Sequence, residues 1–80
     1  MGISLLDGQG LQTLGQRIRI VRQIHGYRSA EFASRVGMSA NYLSLIENNQ
    51  GKTPRLALLQ RIAQALDVTT SQLLGETPLL

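Results

Sequence analysis

The chain has 80 residues, 42% hydrophobic and 16% charged, a balance that excludes a disordered segment and fits one small domain. It has no cysteine, so no disulfide or thiolate-bound metal supports the fold. Eight basic residues against five acidic ones leave a formal charge of +3, compatible with a polyanionic partner but too small to name one. No apolar run is longer than Leu56–Leu59, well short of a membrane span. The opening MGISLLDGQG lacks the basic start and long apolar stretch of a signal peptide, so a cytoplasmic protein is expected.

Residues 1–12 carry three glycines and the apolar cluster Ile3, Leu5 and Leu6, and read as an N-terminal arm. Helical periodicity begins at Leu14. In LGQRIRIVRQIHG, Leu14, Ile18, Val21 and His25 recur on one face, and Gly26 supplies the stop. A second helix is predicted in SAEFASRVG, with Phe32, Ala33 and Val36 inward, Glu31 in the first turn and Gly37 at the end. Ser39 is a good N-cap for a third, ANYLSLIEN, whose Leu43 and Ile46 stand one turn apart. Helices of about two turns are unstable alone, so the second and third must be held by packing.

NNQGKT is turn-rich and reads as a loop. Thr53 is expected to cap a fourth helix with Pro54 at its first position, and Leu56, Leu59, Ile62, Ala63 and Leu66 make its apolar face. Thr69 to Gln72 form a capping box opening a fifth helix with Leu73 and Leu74. Residues 13–75 are thus the domain and 76–80 a tail. No stretch alternates as a strand does. Ile20, Ile24, Leu58 and the terminal leucines fall off the main stripe, which leaves cover by a partner or by the arm both open.

Two short helices joined through Gly37, with small Ala33 at their contact, have the proportions of a helix-turn-helix. The outward side of the third helix would then carry Ser39, Ala40, Asn41, Ser44 and Asn48, small or neutral groups that enter a DNA groove without repulsion from phosphates. The pieces LGQRIRIVRQIHG, AEFASRVGMSANYLSLIEN and TPRLALLQRIAQALDVTTSQLL, in that order, resemble the phage-repressor and Cro-type (XRE-like) helix-turn-helix family over about three quarters of the chain. That resemblance implies an all-α, compact five-helix bundle of the lambda-repressor-like type. Helices two and three form the motif.

The resemblance also implies roles. Ala40, Asn41 and Leu45 fall where the family meets base edges, flanked by Ser39 and Ser44; Asn41 suits adenine, and Leu45 or Ala40 a thymine methyl. Tyr42, Asn48 and Lys52 match positions near phosphates, and Arg55 one near the minor groove. Arg22 and Glu47 match a buried bridge from helix one to the end of helix three. The chain departs from the family at Ser29, where relatives often carry glutamine, and at Arg28, which replaces a capping residue. Arg28 and Ser29 are expected to meet the DNA backbone, with the cap weakened or shifted to Ser29. Asn49 replaces a loop glycine.

Plainer roles stand beside these. Arg17 and Arg19 suit a solvated face as well as a phosphate contact, and Tyr27 suits the core. His25 at a helix end has no second histidine or cysteine, so no metal site is expected. No serine or threonine has a histidine and acid to activate it, no carboxylates pair, and no glycine run cradles a phosphate. An enzyme is therefore not expected, nor a cofactor or small-molecule ligand. The expected protein is a sequence-specific double-stranded DNA-binding regulator, a repressor acting as a homodimer on a roughly palindromic operator. The alternatives are a protein-interaction module on the same fold and the N-terminal domain of a longer repressor.

Overall fold

The computed structural model describes residues 12–79, so the expected arm, Gln12 apart, lies outside the described residues. Five helices follow in order: α1 (Leu14–Ile24), α2 (Ser29–Val36), α3 (Ala40–Glu47), α4 (Leu56–Ala65) and α5 (Thr70–Leu73), with no strand among the described residues.

Local chemistry sets several of their starts. Thr13 Oγ1 accepts from the Gln16 N–H at 3.2 Å while Gln16 Oε1 accepts from the Thr13 N–H at 2.9 Å, a closed capping box on α1. Thr69 and Gln72 repeat it on α5 at 3.0 and 2.9 Å. Ser39 Oγ caps α3 by accepting from the Tyr42 N–H at 3.0 Å. One device ends all five helices. A residue at the C-cap (Gly37) or just after it (Gly26, Asn49, Asp67 and Gly75) takes positive φ. The next N–H then reaches back five residues, as from Met38 to the Ala33 carbonyl (2.9 Å) and from Gln50 to that of Leu45 (2.9 Å).

α2 packs on α3 and α4, α1 on α3 and α5, and α4 on α5. Ile18, Phe32, Leu43, Ile62, Leu66 and Leu73 are fully buried where these helices meet. Each contributes about 1.5–3 kcal/mol relative to exposure, and this cluster holds the two-turn helices in place. Ala33, 1% exposed, lets α2 approach its neighbours closely. Gly37, at φ 90°, turns the chain into α3 through a conformation that costs other residues about 1 kcal/mol or more.

The structure corrects three expectations and decides between the two left open for the start of α2. α4 begins two residues late: Pro54 is buried and the chain runs extended through Arg55, which occupies the N-cap without a side-chain cap bond. Thr53 therefore caps nothing. Leu56, though in phase with the apolar face, is 60% exposed. Helical side chains lean toward the N-terminus, so a leucine in the first turn overhangs the packed interface. α2 keeps Arg28 as its N-cap, with no shift to Ser29 and no side-chain cap; only the Arg28 N–H is met, by Glu31 Oε1 at 3.4 Å. Finally, His25 is exposed at the end of α1, where its Nε2 donates to the Leu66 carbonyl at 2.8 Å, joining the ends of α1 and α4. Within 76–79, Leu79 packs half-buried against the core and the Pro78 carbonyl accepts from Gln72 Nε2 at 3.0 Å.

Candidate nucleic-acid interface

α3 has two unlike sides. Leu43, Ile46 and Glu47 are buried, whereas Ala40, Asn41, Ser44, Leu45 and Asn48 are exposed together with the cap residue Ser39. Ala40, Ser44 and Asn48 stand four residues apart, as do Asn41 and Leu45, so the exposed residues form one ridge along the helix. The ridge carries no formal charge. Leu45 is 40% and Tyr42 38% exposed. Near the end of α3, Asn48 turns back on the ridge: its Nδ2 donates to the Ser44 carbonyl at 2.9 Å and lies 3.3 Å from Ser44 Oγ.

The cations stand around this helix on other elements. Arg28 and Ser29 are exposed at the start of α2, Lys52 in the loop after α3, and Arg55 at the start of α4. Of the other arginines, Arg35 lies 5.0 Å over the Tyr27 ring, and Arg17 lays its guanidinium against Gly75. Tyr27 is half-buried between His25 and Phe32, with ring centroids 5.8 and 5.6 Å away.

What fixes the ridge relative to the rest is a set of contacts between α1 and the end of α3. Arg22 Nε donates to Glu47 Oε2 at 2.6 Å and Nη2 to Oε1 at 3.0 Å, while Nη1 donates to the Tyr27 carbonyl at 2.8 Å. Both side chains are buried, and the fork of the guanidinium meets both carboxylate oxygens. The pair leaves Glu47 neutralised behind the ridge, where a free carboxylate would repel a polyanion.

Two further braces were not read from the sequence. Gly15 lies against the last turn of α3: a Cβ there would collide with the Ile46 carbonyl oxygen and stand 2.7 Å from that of Glu47. A glycine inside a helical pattern is the available signal for such an approach. Asn49, at φ 57°, accepts from the Gly15 N–H through Oδ1 at 3.2 Å and donates from Nδ2 to Thr13 Oγ1 at 2.6 Å. Its left-handed turn was legible; its bonds to α1 depend on tertiary placement.

This arrangement is shared with known proteins. Residues 18–73 match the helix-turn-helix family. The chain belongs to that family, in its Cro/C1 (XRE) type. Over 63 residues this helix-turn-helix protein is 38% identical to the HTH-type transcriptional regulator SinR of Bacillus licheniformis, covering 79% of this chain. It spans only 57% of that regulator's length. The crystal structure of SinR, the master regulator for biofilm formation, in complex with DNA aligns with a TM-score of 0.72 at 36% identity. That alignment covers 76% of this chain and 97% of the other. The P22 c2 repressor protein in complex with a synthetic operator aligns with a TM-score of 0.73 at 30% identity, covering 79% and 94%.

Proposed function

We propose that this helix-turn-helix protein binds double-stranded DNA sequence-specifically and regulates transcription as a repressor, acting as a homodimer on a roughly palindromic operator. The observation that carries this reading is the uncharged, exposed ridge of α3, backed by the neutralised Arg22–Glu47 pair and flanked by cations on neighbouring elements. A side chain can read bases only if its helix enters the major groove, and an acidic face would be repelled there. The likeness to SinR and to the P22 c2 repressor, both with DNA, supports the same reading.

Roles follow within it. Asn41 and Leu45 face base edges, with Ser39, Ala40 and Ser44 beside them. Tyr42, Asn48, Lys52 and Arg55 meet the DNA backbone. Arg28 and Ser29 do so from the start of α2, where N–H groups without a side-chain cap favour an anion. One such helix contacts few bases, and two linked copies on one site gain effective concentration, which is the physical case for a homodimer.

Selection from a random duplex pool, with the winners titrated across a salt series, tests the reading. An enriched inverted repeat with half-sites about one DNA turn apart is expected. Binding that falls steeply with salt but enriches no sequence would reduce the function to backbone attraction. No binding at low salt would reject DNA as the partner. The exposed Leu45 and Tyr42 would then mark a protein-binding face.

A further inference from the structure

Ser44 lies on the exposed ridge, and a free serine hydroxyl reads nothing decisively, because it donates one hydrogen bond and accepts two. Here it is not free. Asn48 Nδ2 lies 2.9 Å from the Ser44 carbonyl oxygen and 3.3 Å from Ser44 Oγ. A carbonyl oxygen only accepts, so the amide must turn its nitrogen, and not Oδ1, toward Ser44. Ser44 Oγ is thereby an acceptor from Asn48, and its own O–H must point elsewhere. Among the described residues no acceptor takes that proton. A hydroxyl that accepts from an amide is also a stronger donor, since bonds in a chain polarise one another.

We propose that Asn48 is a positioning residue that turns Ser44 into a directed hydrogen-bond donor, so that Ser44 selects a base edge bearing an acceptor. The matching groups in the major groove are guanine N7 and O6, adenine N7 and thymine O4; the groups selected against are the amino groups, cytosine N4 and adenine N6. The inference rests on the reading of α3 as the base-reading helix. It goes beyond the backbone contact of Asn48 in what it predicts: a change of base preference at one position of each half-site, on top of any uniform loss of affinity.

The test is selection from random duplexes with the full chain, followed by titration of duplexes varied at single positions. Four proteins are compared: the natural chain, Ser44→Ala, Asn48→Ala and the double variant. Asn48 and Ser44 are both exposed, so the variants should fold, and thermal melting checks that they do. Ser44→Ala locates the position by flattening its preference. Asn48→Ala should weaken discrimination at that same position about three- to tenfold, the scale of one hydrogen bond, and leave the others unchanged. In the Ser44→Ala background it should change nothing further there. The proposal is overturned if Asn48→Ala weakens all duplexes alike with an unaltered pattern, or if it alters preference at that position further in the Ser44→Ala background. If the natural chain enriches no sequence at all, the base-reading role of α3 itself fails and this proposal falls with it.

Discussion

Arg22 and Glu47 show how much one pair of side chains can decide. Each charge is almost fully removed from water, and their attraction is matched by hydrogen bonds to nearly every polar atom they carry. Such a pair stabilises little relative to apolar residues of the same shape, but a lone survivor is a buried, unpaired charge. Glu47→Ala should therefore cost about 3–5 kcal/mol in urea denaturation, and Arg22→Met with Glu47→Leu clearly less. A loss below about 1 kcal/mol in the single variant would mean that water reaches the freed guanidinium. Gly15 belongs to the same seam. Its missing Cβ lets the backbones of α1 and α3 touch, and Asn49 closes the gap with two side-chain bonds.

At the scale of elements, caps and stops govern where each helix begins and ends, and their effects are local. The bond from Tyr42 N–H to Ser39 Oγ satisfies an amide that the helix cannot, so Ser39→Ala should lower stability by about 1 kcal/mol. Thr53 makes no cap, and Thr53→Ala should leave the melting temperature within error of the parent. Calorimetry on the two variants side by side checks the contrast, and equal losses would contradict the late start of α4. The ends of α1 and α2 were legible because glycine has few competitors in a left-handed turn. The end of α4 at Asp67, φ 58°, was not, since aspartate serves as readily inside a loop or at a cap.

For the whole molecule the question is how a net charge of +3 can be coupled to the sequence-reading surface proposed for α3. The exposed side of α3 is neutral and the cations stand on other elements, so on the proposed reading affinity and specificity belong to different residues. Asn41→Ala should cost about 1–3 kcal/mol on the preferred duplex and relax one base position. Lys52→Ala should weaken preferred and scrambled duplexes alike and reduce the slope of log affinity against log salt by about one. Titrations of both duplexes at several salt concentrations separate the two. Equal effects of both substitutions on every duplex would remove the division of labour.

The sequence alone determined the helices and their order, because apolar spacing, capping boxes and glycine stops act within one or two turns. The architecture was implied by the resemblance of the ordered pieces to the phage-repressor and Cro-type family. Tertiary structure decided what depends on residues distant in the chain: the late start of α4 once Pro54 is buried, and the exposure of Leu56 at the edge of its interface. It likewise decided the bond from His25 to the end of α4 and the seam of Gly15 and Asn49 that sets the last turn of α3. The turn of Asn48 onto Ser44 is local, within a single turn, yet only coordinates show it, because an exposed asparagine can equally face solvent.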